Sequence, residues 1–233
     1  MPLSIDALGD RAILVTLGDV ADEATRRRVL SCYERLVRQR PVGVTEIVPG
    51  FASVAIQYDP ARLGRADAPS PHAAMAATIG ELLRSVDTLA VTDKAPVEIP
   101  VCYDASFALD IADVAAHAGV TPEQVAAMHA AGEYVVHMVG FLPGFPYLGG
   151  LDPLLATPRR SSPRARVPAG SVAIGGSQTG IYTMESPGGW QVIGRTTARL
   201  FDVERDPPAL LRIGDRVRFR EISLDEYRAA VSP

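Results

Sequence analysis

The chain has 233 residues, 47% of them hydrophobic and 21% charged, with a formal net charge of −4 and a pI near 5.6. That composition suits a globular protein able to bury a core, as one large domain or two small ones. The acidic balance excludes general affinity for polyanions, so nucleic acid is not an expected partner. Cys32 and Cys102 have no metal-ligand spacing and form no disulfide framework, which fits a reducing cytoplasm. MPLSIDALGDRAILV carries no basic n-region, and no apolar run reaches the roughly 20 residues of a membrane span.

In chain order, Ala12 to Leu17 reads as a strand after the Gly9-Asp10 turn. Asp22 is placed to cap a helix to about Arg40, with Val29, Tyr33, Leu36 and Val37 at core-facing spacing. The run Arg26-Arg27-Arg28 reads as a solvated face of that helix. Val44–Val48 and Ser53–Tyr58 follow as strands about Pro49-Gly50, and a second helix is expected from Pro71 to Arg84. The order β-α-β-β-α predicts an α+β domain of ferredoxin-like split βαβ type over 1–92, with one more strand needed near Leu89 to Thr92. Residues 93–96 read as a linker, and a second, mainly β domain is expected over 97–233.

That second domain opens with the strand Val97 to Tyr103. A helix from Ile111 to Ala118 is expected, capped by Asp110 and stopped by Gly119. Thr121-Pro122-Glu123-Gln124 is a capping box with proline at N1, opening a helix to about Ala131 in which His129 is expected to pack. Tyr134 to Val139 reads as a strand, with His137 as a residue able to line a pocket. Residues 139–196 then crowd glycine and proline turns between short β runs, the pattern of a barrel or sandwich. Arg216–Phe219 is the last strand, followed by a short helix around Asp225 to Arg228.

Most chemical motifs fail on inspection. Gly175 to Gly180 has P-loop glycine spacing, but Ile181 stands where lysine is required. Thr179 breaks a nucleophile elbow around Ser177, and the four histidines offer no metal-binding spacing, so no metal is expected. What remains suits a small polar ligand in a mostly apolar cleft. The arginines of this stretch, Arg160, Arg164 and Arg195 among them, offer planar donor forks for carboxylate or phosphate. Gln178 and Thr179 could hold an amide, with Phe141, Phe145, Tyr147, Tyr182 and Trp190 as an apolar wall. Backbone N–H groups around Gly144, Gly188 and Gly189 complete the substrate-binding set.

The stretches GFLPGFPYLGG (140–150), PRRSSPRARVPAGSVAIGGSQTGIY (158–182), SPGGWQVIGRT (186–196) and GDRVRF (214–219) resemble the allophanate hydrolase subunit 1 family. That family also contains Kip-type sensor-kinase inhibitors and the B-type subunit of bacterial 5-oxoprolinase. Leu8-Gly9-Asp10, Pro49-Gly50, Tyr58-Asp59-Pro60 and the run 99–104 extend the resemblance over almost the whole chain. The resemblance implies an N-terminal α+β domain and a C-terminal cyclophilin-like barrel. It also implies a companion C-type subunit, similar to allophanate hydrolase subunit 2, and a third, A-type subunit. The leading expectation is a component of an ATP-dependent 5-oxoprolinase, with Arg160, Arg164 and Arg195 as the candidate catalytic residues holding phosphate or carboxylate, ATP and Mg acting in the assembled complex, and the isolated chain inactive. Two alternatives follow from the same family: an inhibitor docking on a histidine kinase, and a component of a urea- or allophanate-type carboxyltransferase or hydrolase.

Overall fold

The computed structural model describes residues 3–20, 22–63, 69–84 and 95–231. The chain divides into two compact units, 1–93 and 94–233.

In the first unit, β1 (Ser4–Ala7), β2 (Ala12–Thr16), β3 (Val44–Pro49) and β4 (Ser53–Tyr58) form one antiparallel sheet in the order β1-β2-β4-β3. Alternation along β2 and β4 buries Ile13, Val15, Val54, Ile56 and Tyr58 on one face. Helix α1 (Glu23–Gln39) covers that face with Val29, Cys32 and Leu36, and α2 (Pro71–Leu83) adds Met75, Ile79 and Leu83. The Asp22 carboxylate accepts the Thr25 N–H, as a helix cap should. Strands β2 and β3 both oppose β4, so they run in the same direction and α1 is the crossover between them. The place beside β2 is taken by β1, a mostly exposed strand whose polar sequence gives no alternation to read. The strand expected at Leu89 to Thr92, with Asp93 and Lys94 of the expected linker, lies outside the described residues.

One expectation fails here. Arg26 is buried, and Arg28 is half-buried and donates to the Leu17 carbonyl, so these two of the three consecutive arginines are held against the fold, while Arg27 is exposed. Long aliphatic stems make this possible, since they pack while the guanidinium finds acceptors.

In the second unit seven strands close into a barrel. They are β5 (Val97–Cys102), β6 (Glu133–Val139), β7 (Pro146–Gly149), β9 (Ser171–Gly175), β10 (Gln178–Ile181), β12 (Gln191–Thr196) and β13 (Arg216–Glu221), ordered β10-β7-β6-β13-β5-β12-β9. Only the β13–β5 pairing is parallel. Closure is consistent with the cyclophilin-like architecture and leaves no open edge among these strands. Every strand gives one side to a single cluster, including Ile99, Tyr134, Leu148, Ile174, Ile181, Ile193 and Phe219. That side is therefore the barrel interior. Helices α3 (Ile111–Ala118) and α4 (Pro122–Ala131) add Val114 and Val125 to it. Both halves of the Thr121–Gln124 capping box form, and Gly119 ends α3 in the left-handed region. The closing helix α5 (Leu224–Val231) packs Tyr227 beside Cys102. Outside the barrel, β8 (Arg164–Val167) and β11 (Ser186–Gly188) make a two-stranded ribbon.

Candidate functional site

The polar centre of the site is Asp110, just ahead of α3. Its side chain makes no cap bond to its own helix. Instead the carboxylate, 1% exposed, accepts from Arg160 Nη1 at 2.7 Å, from Arg164 Nη1 and Nη2 at 2.6 and 2.7 Å, and from the Val192 N–H at 2.7 Å. The Asp110 N–H donates back to the Val192 carbonyl. Two guanidiniums and a backbone amide supply the charge and donors that a buried carboxylate requires. This bonding holds the Arg164 guanidinium's pKa above its ordinary value. Arg160 and Arg164 are thus brought together as expected, but on a carboxylate of this chain. That role is hidden in the sequence because an aspartate directly before a helix reads as a cap. The available signal is compositional: residues 158–166 hold four arginines and no acid, so the arginines need an anion from elsewhere.

Beside this node stands the aromatic wall. Phe145, Tyr182 and Trp190 are buried with Val167, Ala173 and Val192 on the barrel's outer face. Phe145 meets Tyr147, Tyr182 and Trp190 with ring centroids at 4.9, 5.3 and 5.7 Å, mostly edge to face. Close approach explains one glycine: a Cβ at Gly188 would lie 2.2 Å from the Tyr182 hydroxyl. Gly144 turns the chain between Phe141 and Phe145 at φ +73°, and Gly189 accepts the Arg160 N–H through its carbonyl. Phe141 is 62% exposed and has φ +70°, a left-handed conformation unfavourable for a bulky residue. Its ring stands edge-on to Phe145 and Tyr182.

Arg159 lies over the Trp190 ring, 5.8 Å from its centroid, and no carboxylate pairs with it among the described residues. Burial pushes the Tyr182 phenol up, against the Trp190 backbone N–H and the charges of Arg159 and Arg164. Burial raises Tyr147 too, against Arg159. The wall therefore carries phenol donors that stay protonated and a cation free to meet an anion.

Other expected residues fall elsewhere. Thr179 is inside the barrel, fully buried; its hydroxyl donates to the Ala173 carbonyl and lies 2.9 Å from His129 Nε2. With that hydrogen committed, Thr179 Oγ1 accepts from Nε2–H, and His129 Nδ1 accepts from the Tyr103 hydroxyl at 2.7 Å. Burial depresses the His129 pKa to about 3, so the ring is neutral, stacked on Phe219. This packed histidine agrees with the expectation, but Thr179 as an amide ligand does not, because the lumen is filled. Gln178 opens β10 and pairs with Gly175 across the two-residue turn Gly176-Ser177, with Gly176 at φ +65°. The glycine-rich segment is a hairpin, so its ladder amides are not a phosphate cradle.

Arg195 sits at the far end of β12, about 13 Å along the strand from Gln191. Its Nε donates to the Ala169 carbonyl and its guanidinium lies over Phe107. His137 packs half-buried against Gly149. A separate cleft of about 330 Å³, lined by Cys102, Tyr103, Asp104, Glu123, Glu221 and Ser223, is acidic and unsuited to an anion. No group of three or more metal-ligating side chains is assembled among the described residues. None of the described helices is long and apolar enough to cross a membrane.

A family model for the carboxyltransferase domain, subdomain C and D, matches residues 3–211. The B-type subunit of 5-oxoprolinase from Bacillus subtilis (strain 168) is 40% identical over 228 residues, 97% of this chain and 95% of the relative. Its counterpart from Escherichia coli O157:H7 is 41% identical over 214 residues, 91% of this chain and 93% of the relative. Among solved structures, TTHA0988 superposes with a TM-score of 0.80 at 38% identity, over 91% of this chain but only 40% of that longer one. The K. lactis urea amidolyase shares the fold, with a TM-score of 0.75 at 23% identity over 97% of this chain and 15% of its own. By sequence and by architecture, the chain belongs to the carboxyltransferase-domain family of subdomains C and D.

Proposed function

We propose that the chain is the B-type subunit of an ATP-dependent 5-oxoprolinase, which converts 5-oxo-L-proline, ATP and water to glutamate, ADP and phosphate. The observation that carries this reading is the 40% identity to a 5-oxoprolinase component of that type along nearly the full length of both proteins. The site is chemically apt. A small planar lactam suits an aromatic wall, its carboxylate suits Arg159, and donors around Arg160 would favour charge developing on the amide oxygen.

Phosphoryl transfer is assigned to the companion proteins. In this chain Arg160 and Arg164 already grip Asp110, and the glycine-rich stretch is a hairpin, so these residues do not fit a triphosphate. The chain's own contribution is to bind and orient the lactam. Its partners are a C-type and an A-type subunit, a reading supported by the greater length of TTHA0988, of which this chain matches 40%. We also read residues 1–92 as a variant of the ferredoxin-like layer with β1 in the edge place, 93–96 as a linker to the barrel domain over 97–233, and the complex as cytoplasmic.

The test is ADP release with 5-oxoproline, first with the purified chain and then with both companion proteins added. Silence alone and turnover in the mixture are expected. Turnover by the single chain would remove the need for partners. An intact complex that is silent with 5-oxoproline would refute the substrate and direct the assay to urea-type amides and to kinase binding.

A further inference from the structure

Two buried polar atoms beside Asp110 have no hydrogen-bond partner: Arg160 Nε and Gln191 Oε1. Gln191 is 8% exposed. Its amide orientation is fixed, because Nε2 donates to the Pro158 carbonyl at 3.0 Å and the flipped amide would set two oxygens together. The same short segment holds Arg160, through its N–H to Gly189 and its Nη1 to Asp110. Val192, next to Gln191, donates to the other oxygen of Asp110. A donor on the loop 158–160 and an acceptor on Gln191, the residue tethered to that loop, therefore stand unsatisfied, and the loop's backbone tethers converge on residues 189–191. Buried polar groups are nearly always paired, and an orphaned one is costly, so each of these atoms calls for a partner, and one group with an acceptor and a donor would meet both.

A five-membered lactam presents that pair. Ring closure forces its amide cis, so C=O and N–H lie along one edge. We propose that residues 158–160 close over a cis-amide subsite, in which Arg160 Nε–H donates to the lactam oxygen and Gln191 Oε1 accepts the lactam N–H. The inference rests on the 5-oxoprolinase reading and sharpens it. Gln191, which the sequence pattern does not single out, becomes the specificity residue for a secondary amide. Arg160 keeps its hold on Asp110 through Nη1 while Nε turns to substrate.

The experiment compares 5-oxoproline with its lactone analogue, in which a ring oxygen replaces the N–H. Both are titrated calorimetrically against the assembled complex without ATP, and turnover of 5-oxoproline is measured in parallel. The wild-type complex is expected to prefer the lactam at least about tenfold, since the lactone leaves Gln191 Oε1 facing an oxygen. Gln191→Met should bring that ratio to about one, with some loss of melting temperature because the Pro158 carbonyl loses its donor. Arg160→Lys, which retains a cation for Asp110 but lacks Nε, should weaken both ligands by a similar factor and leave the ratio intact. If Gln191→Met fails to fold, the Arg160→Lys result decides. A ratio unchanged in Gln191→Met, or affinities unchanged in Arg160→Lys, would overturn the subsite while wild-type turnover still upheld the oxoprolinase reading. A wild-type complex that neither binds nor turns over 5-oxoproline would overturn both.

Discussion

Removing the Asp110 carboxylate should unfold the barrel unit at a markedly lower temperature. Asp110→Ala deletes three guanidinium bonds of 2.6–2.7 Å and the acceptor for the Val192 N–H. Breaking a buried ion pair by deleting one partner costs ~3–5 kcal/mol, mostly because the remaining charges lose their counterion. The arginine side chains keep 31% and 23% exposure, so water restores part of their solvation and the lower end, ~3 kcal/mol, applies. At ~3–4 °C per kcal/mol for a unit of this size, the midpoint falls by about 10 °C. Trp190 is the sole tryptophan and lies in the adjoining aromatic wall, so intrinsic fluorescence reports the loss where it occurs. The double variant with Arg164→Met should be less destabilised than the two single effects added, by ~1 kcal/mol or more. A shift under about 3 °C, or strict additivity, would show that Asp110 is not the keystone described.

The same geometry sets further outcomes. The unfolded state binds a proton on His129 below pH ~6.5 and the folded state only near pH 3, so this residue's contribution to stability is lost as pH falls through that window. The slope approaches ~1.4 kcal/mol per pH unit, and denaturant titrations from about pH 7 to about pH 4 should show it vanish in His129→Gln. Thr179→Val strands the His129 Nε2–H and should cost ~1–3 kcal/mol of stability while leaving KM for 5-oxoproline unchanged; a raised KM would return Thr179 to the substrate. Arg195→Lys should leave turnover of the complex nearly intact, because its contacts are Ala169 and Phe107; a severe loss with unchanged Tm would make it a ligand after all. Phe141→Gly should be more stable than Phe141→Ala by ~1 kcal/mol, since only the glycine relaxes φ +70°; equal midpoints would mean no strain is held there.

Local patterns are the most legible part of the fold. Asp22, Thr121 and Gly119 act as the caps and stop that their chemistry predicts, because capping is decided within one helical turn. Strand β1 is illegible because an exposed edge strand needs no apolar alternation. Turn spacing foreshadows the barrel, but which side of each short strand faces inward depends on partners far along the chain. Hence Thr179 and Gly180, adjacent in one run, separate: the hydroxyl enters the lumen, while the glycine's open side meets Phe145 outside.

The arginines show why residue type alone misplaces a site. Arg160, Arg164 and Arg195 fall into one group by type because all three offer the same donor fork, yet a fork goes to whichever acceptor the fold supplies. Asp110, fifty residues upstream of Arg160, takes the first two. Two guanidiniums share the Asp110 carboxylate, with Asp113 also acting on Arg164, and Arg159, which pairs with no carboxylate among the described residues, lies over Trp190. The proposed binding role fits donors that the protein's own carboxylate already positions, since preorganised donors favour an anionic ligand. Acting as a clamp, Asp110 fixes the two forks, so a group whose sequence position marks it as a helix cap governs the geometry of the candidate site.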